Sequence, residues 1–171
     1  MIKSKTYQIE NIKAILTSSL FKMKIRNANL RDSKVIAENN ILLAKESENK
    51  HINYKTVLEG VKAVIIDRQK GIYLIAEENK EIIGQMMITF EWSDWKNKNI
   101  WWLQSVYILK PWRMKGVFKH LFKTIKEMAL ENNVNILRLY VHSNNIKAKQ
   151  VYDQLKMIKK SYDFYQIKLK H

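Results

Sequence analysis

The feature that most constrains the fold is a strand–helix–strand run in the second half of the chain. Residues 100–109, IWWLQSVYIL, are almost continuously apolar, which predicts a strand buried on both faces. Apolar residues then recur three and four apart over residues 115–131, which predicts an amphipathic helix, and residues 136–141 predict another strand. Elements of these lengths form a βαβ unit, so the two strands should be parallel and joined by a right-handed crossover.

The first half of the chain predicts one strand and two helices. Apolar alternation that starts at Met23 indicates the strand. Asn29 or Asp32 can cap a following helix that runs to about Ser47. A second amphipathic helix is predicted over residues 53–67, where apolar side chains fall on one stripe.

From Gly71 onwards the apolar residues follow the two-residue period of strands, which predicts an antiparallel hairpin. Its strands should cover residues 72–76 and 82–90, and Gly84 inside the second strand predicts a bulge or the close approach of another backbone. Residues 92–99, WSDWKNKN, are predicted to form the loop to the next strand. The class is therefore α+β, or mixed α/β, around a largely antiparallel sheet.

The chain has the length of one domain. Its 171 residues can bury a full core, and they contain no repeat or linker. Residues 1–22 are interpreted as an N-terminal extension, with one domain over 23–171. The domain should close with a helix over residues 145–155 and a terminal strand pair across 157–169.

Composition excludes several classes of site. The chain has no cysteine, so disulfides, thiolate metal sites and a cysteine nucleophile are excluded and a cytoplasmic location is expected. Four isolated histidines without an HExxH pattern predict no metal site. No apolar run approaches the length of a membrane span. The net charge is +15, but only five of the 31 basic residues are arginine and the lysines are scattered, which is typical of a solvated surface.

Residues 106–118, VYILKPWRMKGVF, carry the most chemical information, because a strand ends and a helix begins within them. The unpaired N–H groups and the positive dipole end of a helix start favour an anion, above all a phosphate. Gly116 allows a ligand close to the backbone, and Arg113 and Lys115 add positive charge. A glycine after a proline is equally typical of simple turn chemistry, so the spacing alone leaves both interpretations open.

The same segment resembles a known motif. Residues 107–117, YILKPWRMKGV, are similar to the acyl-CoA-binding motif Q/R-x-x-G-x-G/A of the GNAT superfamily of acyltransferases. Arg113 takes the first position of that motif and Gly116 the fourth, whereas Phe118 stands where the family usually has a small residue. Residues 145–152, NIKAKQVY, resemble the family's N-x-x-A-x-x-x-Y segment at the start of the last helix.

The resemblance implies a GNAT-like fold over residues 23–169, with helices flanking a mixed, mostly antiparallel sheet. It implies an N-acetyltransferase in which the amine of a small-molecule or peptide acceptor attacks the thioester of acetyl-CoA in one ternary complex. Backbone N–H groups at Val106, Tyr107 and Ile108 would polarise the carbonyl, and Tyr152 would protonate the leaving thiolate. The implied donor-binding residues are Val106, Tyr107, Ile108, Arg113, Met114, Lys115, Gly116, Val117, Phe118, Asn145 and Tyr152.

The proton on the attacking amine needs a base. Glu91 and Asp94, at the end of the third predicted strand, are the candidates, and a polar loop anchored by tryptophans is the alternative explanation for them. Gln104 and Ser105 can face the same cleft, but neither is a base at neutral pH. The acceptor is not identified by the sequence, although carboxylates near the cleft favour a cationic amine.

A competing hypothesis keeps the fold without the activity. Phe118 and Lys156 depart from the family's pattern, which leaves a non-catalytic domain that binds CoA or, through its basic surface, nucleic acid. Nucleic acid is the less favoured partner, because its recognition favours clustered arginine. Members of the family often dimerise, so a homodimer is a further expectation.

Overall fold

The computed structural model describes residues 23–169. Those residues fall into two compact units, the first ending at Tyr140 and the second starting at Val141. The predicted extension over residues 1–22 lies outside the described range. The first unit contains β1 (Lys24–Asn27), α1 (Ser33–Glu48), α2 (Tyr54–Ile66), β2 (Ile72–Glu78), β3 (Glu81–Ser93), β4 (Lys98–Ile108), α3 (Val117–Glu131) and β5 (Leu137–Leu139), and the second contains α4 (Ile146–Gln154).

The five strands form one sheet in the order β1-β2-β3-β4-β5. The first three pairings are antiparallel and the pairing of β4 with β5 is parallel. The mixed, mostly antiparallel sheet predicted from the sequence is therefore confirmed, as is the parallel βαβ unit formed by β4, α3 and β5.

Local polar side chains set where the first two helices begin. Asn29 caps a 3₁₀ turn that leads into α1: its side chain accepts the Arg31 N–H at 3.0 Å, and the Asp32 carboxylate accepts the Asn29 N–H at 2.7 Å. The Asn53 side chain accepts the Thr56 N–H at 3.0 Å and caps α2. Each cap satisfies backbone donors that a helix start leaves unpaired.

Helices pack on both faces of the sheet. Successive strand residues point to opposite faces, and Gln85 reaches Asn39 of α1 while its neighbour Gly84 lies against Val117 of α3. The α1 and α2 side buries an apolar cluster, and each fully buried aliphatic side chain in it stabilises the fold by about 1.5–3 kcal/mol. That cluster consists of Ile36, Ala37, Val61, Tyr73, Ile75 and Ile82.

The structure confirms the prediction that Gly84 marks a bulge or a close approach. Ala76 pairs with Gly84 and Glu77 pairs with Ile82, so Ile83 is an extra residue in β3. A Cβ on Gly84 would also lie 2.6 Å from Ile108 Cδ1 and 3.0 Å from Val117 Cγ1. The glycine thus marks both a bulge and a close approach.

Three expectations about strands need correction. The predicted loop over residues 92–99 is shorter, because the β3–β4 ladder continues to the pair Ser93–Lys98 and leaves only residues 94–97 as a turn. β4 is not buried on both faces throughout, since Trp102 and residues 104–106 are half-buried. The predicted strand pair across residues 157–169 is wrong, because no ladder forms there and residues 158–169 are all exposed. A strand pair needs hydrogen bonds between two strands, and this segment forms none of them.

Two further observations concern the described residues alone. No helix within 23–169 combines the length and apolar character needed to cross a bilayer. In the same range, no three histidine, aspartate or glutamate side chains lie close enough together to hold a metal ion.

Candidate active site

A bulge interrupts β4 three residues before its end. Gln85 pairs with Tyr107 and Met87 pairs with Gln104, so one residue of β3 faces Ser105 and Val106 of β4. Ser105 has φ of 48°, in the left-handed region that non-glycine residues rarely adopt. A bulge of this kind bends the strand and redirects the residues that follow it.

β4 and β5 are paired over a short distance only. Their register comprises the pairs Trp101–Leu137, Trp102–Arg138 and Leu103–Leu139. Within residues 23–169, no strand pairs with the β5 side of β4 beyond Leu103. This edge can therefore accept an extended ligand as an additional strand.

The turn between β4 and α3 presents backbone groups at the start of a long helix. Gly116 is the N-cap residue of α3, with φ of 81° and no side chain to cap the helix. Met114, with φ of 62°, is 99% exposed. The first N–H groups of α3 have no partner within the helix, so the turn is suited to an anion.

Arg113, at the first position of the resemblance motif, is held by contacts on three sides. Its Nε donates to the Ile108 carbonyl oxygen at 2.9 Å, and its Nη2 donates to Glu46 Oε2 at 2.8 Å. The guanidinium lies 5.4 Å from the centroid of the Tyr107 ring. Lys115, the second predicted basic residue, has its ammonium 5.1 Å from the centroid of the Trp112 ring.

Glu46 of α1 also accepts a hydrogen bond from the Tyr107 hydroxyl, at 2.9 Å, and Lys110 Nζ lies 3.5 Å from the same carboxylate. Burial opposes the charge of Glu46, but the hydrogen bonds from Arg113 and Tyr107 outweigh it and lower the pKa of the carboxyl. Burial, followed by the hydrogen bond to Glu46, raises the pKa of Tyr107. The contact between Glu46 and Arg113 was not predicted, because no local spacing in the sequence connects residues 67 positions apart.

Phe118, the departure from the family's pattern, is half-buried near the start of α3. Its ring stacks on Phe122, with centroids 5.9 Å apart and planes inclined at 24°. Val117 beside it is almost fully buried. His120 is exposed, and its Nδ1 lies 2.9 Å from the Gly116 carbonyl oxygen.

Of the two proposed bases, Glu91 belongs to a connected group on the sheet. Arg138 Nη1 donates to Glu91 Oε1 at 3.0 Å, and Trp102 Nε1 donates to the other carboxylate oxygen. The Trp102 ring stacks on Tyr140, with centroids 4.4 Å apart. On the same face, Gln104 Nε2 donates to Thr89 Oγ1 at 2.6 Å, immediately before the bulge.

Asp94 lies elsewhere, in the turn at the tip of the β3–β4 hairpin, where its carboxylate accepts the Trp95 N–H at 2.9 Å. Lys98, the first residue of β4, and Val106 are separated by eight residues, or about 26 Å at 3.3 Å per residue. Asp94 is thus distant from the bulged end of β4, and its role as a base stays a prediction.

The second unit holds the other two residues from the resemblance. The Asn145 side chain accepts the Ala148 N–H at 3.1 Å and caps α4. Tyr152 lies on α4 and is half-buried, and burial raises the pKa of its phenol above the ordinary value of 10.0.

Comparison with known proteins adds independent information. A family model described as "Acetyltransferase (GNAT) family" matches residues 39–157, which include both resemblance motifs. An uncharacterized N-acetyltransferase, YhfO of Bacillus subtilis (strain 168), is 30% identical over 100 residues, 57% of this chain and 67% of its own length. Thialysine N-epsilon-acetyltransferase of Bos taurus is 31% identical over 74 residues, 43% of each protein, so the match spans less than half of that relative.

The fold also matches a solved structure. The crystal structure of a possible acetyltransferase from Clostridium difficile 630 superposes with a TM-score of 0.81 at 40% identity. The match covers 87% of this chain and 99% of that protein. It agrees with the mixed sheet and flanking helices described above.

Proposed function

Because the chain belongs to the GNAT family of acetyltransferases, we propose that it transfers the acetyl group of acetyl-CoA to a primary amine by direct attack in one ternary complex. One observation carries the proposal: a bulged, partly unpaired strand end runs into a helix start that is not capped by any side chain. This arrangement suits a donor with an extended amide-containing arm and a pyrophosphate. The domain that performs the reaction is proposed to cover residues 23–171.

The donor fits the residues present. The extended arm can hydrogen-bond along the open edge at Val106, Tyr107 and Ile108, and the pyrophosphate can meet the first N–H groups of α3. Gly116 leaves room for that approach, because a Cβ there would have only His120 within 4 Å. The remaining proposed donor contacts come from Arg113, Met114, Lys115, Val117, Phe118 and Asn145.

In the proposed reaction the amine nitrogen attacks the thioester carbon, a C–N bond forms and the C–S bond breaks. Backbone N–H groups at Val106 to Ile108 stabilise the negative charge on the carbonyl oxygen. The thiolate leaves with a proton from Tyr152, whose phenol is the protonated form at neutral pH and whose pKa is raised by burial. No covalent intermediate on the enzyme is needed, and proximity supplies much of the acceleration.

For the proton of the amine we propose Glu91 as the accepting carboxylate, through intervening water, in preference to Asp94. Glu91 shares a sheet face with Gln104, which directly precedes the bulge, whereas Asp94 lies at the far end of the hairpin. Strand geometry separates Trp102, the indole partner of Glu91, from Val106 by about 13 Å. That distance requires a water chain rather than direct contact.

The acceptor is proposed to be a small-molecule or peptide amine. The bovine relative is named for acetylation of the ε-nitrogen of thialysine, which supports a primary amine on an aliphatic chain as the reacting group. The Glu91 carboxylate, which is 39% exposed, is compatible with a cationic acceptor. The competing hypothesis of a non-catalytic or nucleic-acid-binding domain is not favoured by the relatives, which are acetyltransferases by name.

The proposal is tested by calorimetric titration of acetyl-CoA at physiological salt, with inorganic pyrophosphate as the control for nonspecific anion binding. We expect micromolar affinity for acetyl-CoA and much weaker binding of pyrophosphate. Thiol release in the presence of a panel of primary amines then measures transfer. Equal affinity for the two ligands would contradict a shaped donor site, and donor binding without transfer to any amine would contradict the enzymatic role.

A further inference from the structure

The carboxylate of Glu46 joins α1 to the turn between β4 and α3. Three groups converge on it: the Arg113 guanidinium at 2.8 Å, the Tyr107 hydroxyl at 2.9 Å and the Lys110 ammonium at 3.5 Å. Glu46 and Arg113 are 67 residues apart in sequence, so this contact ties together two distant segments of the chain.

The contacts immobilise Arg113 although it lies near solvent. Its side chain is 42% exposed, and that of Glu46 is 27% exposed. An exposed arginine ordinarily keeps much of its rotamer freedom, which a ligand must then remove on binding. Here the Nε and Nη2 donors are already directed to fixed acceptors, while the Tyr107 ring lies against the guanidinium.

The anchored arginine lies directly before the anion-binding turn. Arg113 precedes Gly116, the N-cap residue of α3, by three residues. Its bond to the Ile108 carbonyl oxygen also connects the end of β4 to this turn. The position of the turn relative to the open strand edge therefore depends on where the guanidinium is held.

We propose that Glu46 is a positioning residue for the donor substrate: by holding Arg113 through its carboxylate, it fixes the 110–116 turn in the conformation that receives the pyrophosphate of CoA. This inference rests on the proposed function, because it assumes that CoA binds at the turn. It assigns to α1 a part in donor binding that neither the motif nor the resemblance includes. A negative charge close to a phosphate would by itself weaken binding, so the inference predicts that positioning outweighs repulsion.

The test is a double-mutant cycle on CoA affinity, measured by calorimetry at fixed ionic strength. We expect Glu46→Gln to raise the Kd for CoA about fivefold to tenfold in the wild-type background and by less than about twofold in the Arg113→Gln background. If Glu46→Gln no longer raises the Kd in the Arg113→Gln background, Glu46 acts through Arg113. A general loss of stability would instead raise the Kd in both backgrounds.

The matched control is Glu48→Gln on the same helix, because Glu48 pairs with Lys50 at an exposed site and does not contact the turn. It should leave the Kd for CoA unchanged. If Glu46→Gln does not fold, Tyr107→Phe takes its place, since it removes one anchor of the carboxylate and should weaken CoA binding in the same direction by a smaller factor.

Three results would overturn the inference: unchanged affinity in Glu46→Gln, tighter binding caused by relief of repulsion, or equal weakening in both backgrounds. Each of these leaves CoA binding by the wild type intact and does not affect the proposed function. Failure of the wild type to bind CoA at all would instead remove the proposed function, and this inference with it.

Discussion

Glu91 and Arg138 form an ion pair across the sheet, with Arg138 Nη1 3.0 Å from Glu91 Oε1. The two side chains are 39% and 37% exposed, so solvent and a small ligand can still reach them. The Trp102 indole donates to the same carboxylate. Glu91 is therefore held in a defined orientation by Arg138 and Trp102, an arrangement compatible with attracting a cationic amine and accepting its proton through water.

The first prediction concerns this carboxylate. Glu91→Gln keeps the shape of the side chain and an acceptor for the indole but removes the charge and the base. We expect kcat/KM for the acceptor to fall about a hundredfold, in the range typical for loss of a general base, while the Kd for acetyl-CoA stays the same. Steady-state kinetics with a saturating donor, together with calorimetry, measure the two quantities.

Asp94→Asn is the matched control for that experiment. Asp94 lies in the turn at residues 94–97, at the opposite end of the hairpin from the bulge. We expect its kcat/KM to remain within about twofold of the wild type, because its carboxylate contacts only the local backbone. An equal loss in both variants would mean that the carboxylates act through general surface charge, not through a specific base.

The second prediction concerns the pH dependence of Tyr152. Burial raises the pKa of its phenol above 10.0, so the protonated form that can donate to a thiolate predominates at neutral pH and is lost only above the raised pKa. In Tyr152→Phe we expect kcat to fall at least tenfold, the KM for acetyl-CoA to change little, and the activity loss on the alkaline side of the profile to disappear.

Initial rates from pH 7 to 11 in buffers of constant ionic strength provide the measurement. Tyr165→Phe serves as the control, because Tyr165 is 88% exposed in the segment after α4 and should leave the profile unchanged. If Tyr152→Phe retains the wild-type kcat, the thiolate takes its proton from water and the proposed acid is incorrect.

Local signals in the sequence were sufficient for most of the fold. The second helix was expected over residues 53–67 and is observed as Tyr54–Ile66, because Asn53 caps it and a single apolar stripe defines its length. The βαβ unit followed from the lengths of its three segments. The strand pair across 157–169 was wrong, since alternation specifies which face of a strand is apolar but not whether another strand is present to pair with it.

The parts of the candidate site that are formed by neighbouring residues in the sequence were predictable. The parts that are formed by residues far apart in the sequence were not. Gly116 and the start of α3 follow from residues close in sequence. The contacts of Arg113 with Glu46 and of Arg138 with Glu91 join residues 67 and 47 positions apart. Local spacing contains no information on such pairs, because they are set by how helices and strands pack.

The third prediction tests a buried amide network beneath the site. Gln85 is fully buried, and its side chain accepts from Asn39 Nδ2 at 2.9 Å and donates to Asn40 Oδ1 at 2.8 Å. Asn40 in turn donates to the Tyr73 hydroxyl at 3.0 Å. Gln85→Leu would remove the partner of the buried Asn39 amide and of the half-buried Asn40 amide oxygen, and a buried polar group left unsatisfied costs about 1–3 kcal/mol.

We therefore expect Gln85→Leu to lower the free energy of unfolding by roughly 2–4 kcal/mol in urea titrations, with little change in the m-value. Gln104→Leu is the comparison, because Gln104 is only half-buried and bonds to Thr89 alone. It should lose about 1 kcal/mol or less. Equal stability of Gln85→Leu and the wild type would show that packing, rather than hydrogen bonding, connects α1 to the sheet.

The last prediction compares two glycine-to-alanine substitutions that should change the free energy of unfolding in opposite directions. At Gly84 a new Cβ would lie 2.6 Å from Ile108 Cδ1, which can rotate away, and 3.0 Å from Val117 Cγ1, which belongs to a stiff β-branched residue that is 1% exposed. Gly84→Ala should therefore lower the free energy of unfolding by about 1–3 kcal/mol and weaken CoA binding, because both neighbours border the proposed donor site.

Gly60→Ala is the control, because it makes the same glycine-to-alanine change at a position without close packing. Gly60 is exposed within α2, and nothing lies within 4 Å of where its Cβ would be. Alanine there should raise the free energy of unfolding by roughly 0.5–1 kcal/mol, since it favours the helix and restricts the unfolded chain, and should leave CoA binding unchanged. If Gly84→Ala were as stable as the wild type and bound CoA equally well, the close packing of β3 against the β4–α3 junction would not be what positions the donor site.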